Sequence, residues 1–148
     1  MAARVQREDF DVAAEIAALT AGRTDVGAIV TFTGRVRGDE GSVAAMTLEH
    51  YPGMTETELS RIEAEALLRW SLQASLIVHR VGELKPGNNI VLVVTVSVHR
   101  QAAFEAASFV MDYLKTRAPF WKKVTDASGK TAWVDVREAD ERAVRRWS

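Results

Sequence analysis

The chain has 148 residues, no cysteine, and 19 lysine and arginine residues against 20 aspartate and glutamate residues, for a formal net charge of −1. This length predicts one domain, residues 1–148, that buries its own core. The lack of cysteine excludes disulfide bonds, thiolate metal sites and a cysteine nucleophile. The near-neutral charge argues against the positive field on which non-specific nucleic-acid binding depends.

The sequence contains no recognisable signal for export or membrane insertion. Charged residues interrupt the first twenty positions, and no run approaches the roughly 18 apolar residues of a membrane span. We therefore expect a cytoplasmic protein without a membrane partner.

A short first helix is predicted near the N-terminus, capped by Asp9 or Asp11 and followed by Gly22. Its apolar residues recur at helical spacing: Val12, Ile16 and Leu19. The run 28–33 is rich in β-branched and aromatic residues and predicts a strand that ends at Gly34.

Arg35 and Arg37 follow this strand and precede a polar loop at 39–42. Alternation along an extended chain places both guanidinium groups on one side, where they could bind phosphate or carboxylate. On spacing alone, a pair of solvated surface charges is the simpler interpretation. The Gly-Lys-Ser/Thr ending of a phosphate-binding loop is absent.

A short strand at 46–49 precedes the most clearly marked helix, for which Thr55 and Glu58 have the spacing of a capping box. The apolar stripe of this helix is Leu59, Ile62, Ala66 and Trp70. Two β-branched runs, 75–81 and 89–98, predict an antiparallel hairpin with a long turn, and the second is apolar enough to be a central strand.

A third helix is predicted at 101–116, because apolar residues recur there at helical spacing and Pro119 stops it. Its stripe is Phe104, Ala107, Met111 and Leu114. The remaining elements are an exit segment at 121–123, a turn at 128–130, a strand at 132–136 and a helix at 138–147. Strands that come in pairs predict the α+β class, with a mainly antiparallel sheet flanked by helices.

The window 115–123 concentrates basic residues without an acidic one: Lys115, Arg117, Lys122 and Lys123. A lysine at a helix C-terminus is often structural, because it interacts favourably with the helix dipole. Phe120 and Trp121 could instead desolvate an ammonium group, which would lower its pKa and suit it to acid–base or nucleophilic chemistry.

His99 and Arg100 end the predicted central strand, and a histidine at such a position is more often structural than catalytic. The three histidines are too far apart in sequence to predict a metal site. The residues alone therefore indicate an anion-binding site without a cofactor motif, built from Arg35, Arg37, His99, Arg100 and lysines.

Several separated motifs carry a resemblance to a known family. They are FTGRVR at 32–37, LEHYPGM at 48–54, HRVG at 79–82, SVHR at 97–100, DYLK at 112–115 and PFWKK at 119–123. In this order they resemble the large, catalytic subunit of molybdopterin synthase, from about Gly27 to Trp133.

The resemblance implies an α/β hammerhead fold and a sulfurtransferase of molybdenum cofactor biosynthesis, with no cofactor or metal of its own. Such enzymes convert cyclic pyranopterin monophosphate into molybdopterin by adding two dithiolene sulfurs. A small ubiquitin-like partner carries the sulfur as a thiocarboxylate on its C-terminal Gly-Gly. The family assembles as a heterotetramer around a homodimer of large subunits.

The resemblance also implies site residues. Lys115 and Lys122 match the catalytic lysines of the family, the first as an acid–base group or transient nucleophile and the second as a donor to the tail carbonyl. Substrate-binding positions are Arg35, Val36, Arg37, His99, Arg100, Lys115, Lys122, Lys123 and Val124. Many relatives have an acidic residue where this chain has Val124, which predicts a more positive pocket.

Two other functions remain open from the sequence. One is a non-catalytic module that binds a phosphate ligand or RNA through the same basic residues. The net charge of −1 disfavours RNA, as does the lack of aromatic residues interleaved with basic ones on paired strands. The other is a purely structural partner of a ubiquitin-like protein, in which Lys115 would have no role in turnover.

Overall fold

The computed structural model describes residues 3–134 and 137–148. Their elements, in chain order, are β1 (Ala3–Gln6), α1 (Val12–Thr20), β2 (Ala28–Arg35), β3 (Val43–His50), α2 (Met54–Arg69), β4 (Ala74–Arg80), β5 (Gly82–Leu84), β6 (Asn89–Ser97), α3 (Arg100–Thr116), β7 (Phe120–Asp126), β8 (Thr131–Val134) and α4 (Glu138–Arg145). The predicted strand at 132–136 corresponds to β8, and its last two positions lie outside the described residues.

The strands form two four-stranded sheets. The first has the order β1-β4-β6-β2, in which β1 runs parallel to β4 and the other neighbours are antiparallel. The second, β5-β3-β7-β8, is antiparallel throughout. The predicted α+β class is confirmed, and so is the predicted hairpin, with Ile77 opposite Val93. The strands divide between two sheets because β3 pairs with β5 and β7 and not with the first sheet.

Strand β6 is apolar along most of its length because the first sheet is covered on both faces. Val91 and Val93 pack with the side chains of α2 and α3. The alternate residues, such as Leu92 and Val94, belong to a second cluster on the α1 side. Successive side chains of a strand point to opposite faces, so a strand between two helical layers needs apolar residues at every position.

Helix α2 begins one residue earlier than its predicted cap. Gly53, with a φ of 87°, precedes the helix, and its N–H donates to the Glu56 carboxylate at 2.9 Å. The predicted capping box of Thr55 and Glu58 is wrong, because the Thr55 hydroxyl is buried and used elsewhere. It accepts from the Tyr51 N–H and donates to the Pro119 carbonyl, both at 2.9 Å. It thereby joins the start of α2 to the start of β7.

Helix α3 buries only part of the predicted stripe. Ala107 and Leu114 are buried as predicted, but Phe104 is 62% exposed. The buried face also includes Ala103, Phe109 and Val110, which are fully buried or nearly so. Strand β7 was predicted only as an exit segment, and β1 and β5 were not predicted. Their short or mixed polar sequences give no clear signal until a neighbouring strand pairs with them.

Helix α4 is held against α3 by the C-terminal residues. Arg146 and the Trp147 indole N–H both donate to the Asp112 carboxylate, at 2.9 and 2.7 Å. The Trp147 ring also meets Phe109 edge-on, with centroids 5.6 Å apart. These contacts fix α4 beside the C-terminal end of α3.

We expect Leu59→Ala to lower the free energy of unfolding by about 2–5 kcal/mol, because Leu59 is 0% exposed in the main core. Leu68→Ala is the matched control on the same helix, since Leu68 is 85% exposed, and should change stability by no more than about 0.5 kcal/mol. Urea denaturation of both variants checks this. Equal losses would contradict the assignment of the buried face of α2.

Candidate functional site

A cavity of about 610 Å³ lies where the two sheets meet the C-terminal end of α3 and the start of α4. Among the described residues that line it, five are cationic and two are carboxylates. The cations are Arg35, Arg37, Lys115, Lys122 and Arg137, and the carboxylates are Asp39 and Asp140. A smaller cavity of about 320 Å³ adjoins it and shares Arg35, His79 and Lys115, with Phe32 and Met111 among its apolar walls.

Strand alternation decides which basic residues of the 115–123 window enter the cavity. Phe120, Lys122 and Val124 are on the cavity side of β7. Lys123 is on the other side, where its Nζ lies 5.4 Å from the centroid of the Trp133 ring. Lys115 reaches the cavity from the last turn of α3. The structure therefore brings Lys115, Lys122 and Val124 together and leaves Lys123 outside.

Lys122 is the cavity cation with a clearly perturbed environment. Burial lowers its pKa below the usual value, and the positive charges of Lys115, Arg137 and Arg37 lower it further. The negative charge of Asp140 acts in the opposite direction and raises the pKa of Lys122. Of the two interpretations that the sequence left open for this window, the burial of Lys122 favours the desolvated ammonium.

Arg35 and Arg37 both line the cavity, as their alternate spacing predicts. The Arg35 guanidinium donates to the Gly87 carbonyl, with its shorter bond at 2.6 Å, which fixes its position. Arg37 is 80% exposed and lies 3.7 Å from the Asp39 carboxylate. Val36, between them, does not line the cavity; its side chain is buried against Leu48 and Leu84.

His99 and Arg100 do not reach the cavity of their own chain. They lie at the N-terminal end of α3, and Lys115 lies in its last turn. At 1.5 Å per residue, the 15 steps from Arg100 to Lys115 span about 22 Å along the helix axis. Both side chains are exposed. These two predicted site residues are therefore separated from the others within one chain.

His79 contributes to both cavities, although its place in a β-branched run favoured a structural role. Its ring stacks on Phe120 with centroids 3.8 Å apart, and Nδ1 lies 2.9 Å from the Arg80 carbonyl oxygen. Burial, assisted by the nearby charge of Lys115, lowers its pKa to about 4. His79 is thus neutral at physiological pH, with Nδ1 protonated and donating to that carbonyl, which can only accept, and with Nε2 unprotonated.

Arg137 and Asp140 also line the cavity without having been predicted as site residues. No local motif marks them, since only the docking of α4 brings them there. Within residues 3–134 and 137–148, no three histidine or acidic side chains are grouped to hold a metal ion. No helix in the same ranges is long and apolar enough to cross a membrane.

Comparison with known proteins places this geometry in a family. Residues 5–117 match the family described as MoaE protein. The chain belongs to the MoaE family. A relative from Mesorhizobium japonicum, named molybdopterin synthase catalytic subunit, is 60% identical over 145 residues, which cover 97% of this chain and 91% of the relative. A solved MoaE protein from Burkholderia ambifaria is 54% identical, with a TM-score of 0.85 over 99% of this chain and 98% of its own.

A more distant solved structure is the complex of subunits 1 and 2 of molybdopterin-converting factor from Helicobacter pylori. The matching chain of that complex is 20% identical, with a TM-score of 0.76 over 91% of each chain, so the comparison shows a shared fold alone. Together with the family match, these findings confirm the predicted family, its enzyme class and its role in molybdenum cofactor biosynthesis.

The low pKa of His79 in the folded chain predicts a loss of stability in acid. In the unfolded chain the imidazole of His79 is protonated as the pH falls below about 6.5, whereas in the folded chain it is protonated only near pH 4. Between these values, we expect wild type to lose about 3 kcal/mol of unfolding free energy relative to His79→Phe. Denaturant titrations at several pH values measure this difference. The matched substitution His99→Phe should leave the loss in place, and a parallel pH profile for wild type and His79→Phe would contradict the prediction.

Proposed function

We propose that this chain transfers sulfur from a thiocarboxylated ubiquitin-like small subunit to cyclic pyranopterin monophosphate, forming the dithiolene of molybdopterin. The observation that carries the proposal is that Lys115, Lys122, Arg35 and Arg37 all line the larger cavity. The substrate has a cyclic phosphate, the incoming tail is an anion, and oxyanion charge develops during transfer. Preorganised cations stabilise such charge.

The proposed roles follow from the position of each cation. Arg35 and Arg37 hold the phosphate, which their guanidinium groups can bind with paired hydrogen bonds. Lys122, partly desolvated on β7, donates to the tail carbonyl. Lys115 acts as the acid–base group, or as a transient nucleophile, at the pterin side chain. The absence of cysteine means that the sulfur arrives on the partner.

The proposed partner is a small subunit that ends in Gly-Gly. The Helicobacter pylori protein of the same fold was solved in a complex of two subunits, which supports a comparable pairing here. A cavity of about 610 Å³ has the volume to hold an extended Gly-Gly tail. A cytoplasmic site of reaction stays a prediction.

His99 and Arg100 take part only if they enter the cavity of a second copy. Their separation of about 22 Å from Lys115 along α3 prevents one chain from placing all three on one substrate. The proposed homodimer within the heterotetramer removes this obstacle, because a two-fold axis can bring the start of one α3 to the end of the other. We therefore propose a composite site, with Lys115 and Lys122 from one chain and His99 and Arg100 from its partner.

We expect Lys115→Ala and Lys122→Ala each to lower dithiolene formation by roughly 100-fold or more, the usual effect of removing a group that stabilises transition-state charge. The assay mixes the purified chain, the thiocarboxylated small subunit and the pyranopterin precursor. Lys130→Ala is the control, since Lys130 is exposed in the turn before β8. Folded lysine variants with unchanged turnover, or a folded wild type without product, would reject the proposed function. Oligonucleotide binding with a steep salt dependence in that second case would favour an RNA-binding module.

The composite site predicts complementation between two inactive variants. Lys115→Ala and Arg100→Ala should each be impaired alone. After equal amounts of the two variants exchange subunits at random, about half of the dimers are mixed. Each mixed dimer contains one intact site of two, so turnover of the mixture should recover to about a quarter of wild type. Mass spectrometry of the mixture measures the mixed dimer. Mixed dimers without recovered activity would show that Arg100 does not act across the dimer.

A further inference from the structure

The cavity holds two carboxylates whose surroundings differ. Asp39 lies 3.7 Å from Arg37, at the exposed mouth of the cavity. Asp140 takes part in none of the ion pairs identified in the described part of the chain, yet it lines the same cavity as Lys122 and Arg137. Its charge favours the ammonium form of Lys122. Asp140 is thus the cavity carboxylate available to Lys122.

Among the described residues, no carboxylate lines the cavity from the strands around Lys122. Apart from Lys122 itself, the described residues that line it from β7 and its neighbours β3 and β8 are apolar: Val43, Met46, Leu48, Phe120, Val124 and Val134. Val124 lies two positions from Lys122 on the same side of β7, about 7 Å along the strand. Within the described residues, the carboxylate whose charge acts on Lys122 therefore belongs to another element, α4.

The position of Asp140 is fixed from both sides. Its N–H donates to the Arg137 carbonyl at 3.0 Å, in the first turn of α4. The next residue, Glu141, lies 3.5 Å from the Arg117 guanidinium just after α3. At the far end, Arg146 and Trp147 bind Asp112, which is one helical turn before Lys115. The contacts that dock α4 on α3 thus set where the Asp140 carboxylate stands relative to both lysines.

We propose that Asp140 is a positioning residue that holds Lys122 as a charged ammonium directed into the cavity, a role that β7 leaves unfilled with Val124. The inference rests on the proposed function, because it concerns the donor to the tail carbonyl. Without this carboxylate, Lys122 would face desolvation and several cations with no compensating charge. The other charged or titratable groups around the cavity are Arg35, Arg37, Asp39, Lys115, Arg137 and neutral His79.

The test compares Asp140→Asn with wild type by carbon NMR titration of the Lys122 side chain, in the chain alone. We expect the Lys122 pKa to fall by about half a unit or more in the variant, because a nearby carboxylate stabilises the charged form. The matched control is Asp39→Asn, which removes the other cavity carboxylate and should move the Lys122 pKa less. Should Asp140→Asn fold poorly, Asp140→Ser is a second variant that removes the same charge with a smaller polar side chain.

Turnover provides a second measurement. If Lys122 acts as an ammonium, kcat falls as pH rises through its pKa, so Asp140→Asn should shift this alkaline limb to lower pH by the same amount. KM for the precursor should change less than kcat. The double variant Val124→Glu with Asp140→Asn places a carboxylate on β7 and should return both the Lys122 pKa and the alkaline limb towards wild type.

The outcomes separate this inference from the proposed function. An unchanged Lys122 pKa in a folded Asp140→Asn or Asp140→Ser protein overturns the inference, even where dithiolene forms normally. A lowered pKa that Val124→Glu restores supports it. A folded wild type that makes no dithiolene overturns the proposed function, whatever the titration shows.

Discussion

The grouping of several cationic side chains in one partly buried cavity is the constraint on which the rest of the structure depends. It is visible in the pKa of Lys122, which burial lowers and which the charges of Lys115, Arg137 and Arg37 lower further. A chain with a net charge of −1 therefore holds a locally basic site. The overall charge conceals it because acidic residues elsewhere balance the count.

Each of the two sheets contributes a different part of this site. The first sheet, with α2 and α3 packed on it, forms the main core and carries Lys115 at the end of a buried helix. The second sheet presents Lys122 through the alternation of β7. The Thr55 hydroxyl, between the Tyr51 amide and the Pro119 carbonyl, joins the two units where β7 begins. Core packing and site geometry thus depend on the same contacts.

Helix α4 connects stability with the proposed chemistry. The bonds from Arg146 and Trp147 to Asp112 dock the C-terminus on α3, and the same docking carries Arg137 and Asp140 to the cavity wall. In the composite site, the second copy of the chain would add His99 and Arg100 from the opposite end of α3. Lys115, Lys122 and Arg100 would then each be held by a regular element, α3 or β7.

The sequence by itself determined the family, the α+β class, the central strand β6 and the shared side of Arg35 and Arg37, because periodicity and local motifs encode these features. Only the tertiary structure decided that Lys122 is the desolvated lysine, that Lys123 faces away, that Val36 is buried, and that His79, Arg137 and Asp140 line the cavity. The physical reason is that these features depend on pairing and packing between segments that are distant in the sequence. Alternation turns Lys123 away from Lys122 only because β7 pairs with β3 and β8 as a strand, and long-range packing brings α4 to the cavity. The separation of His99 and Arg100 from Lys115, by contrast, already follows from the length of the predicted helix.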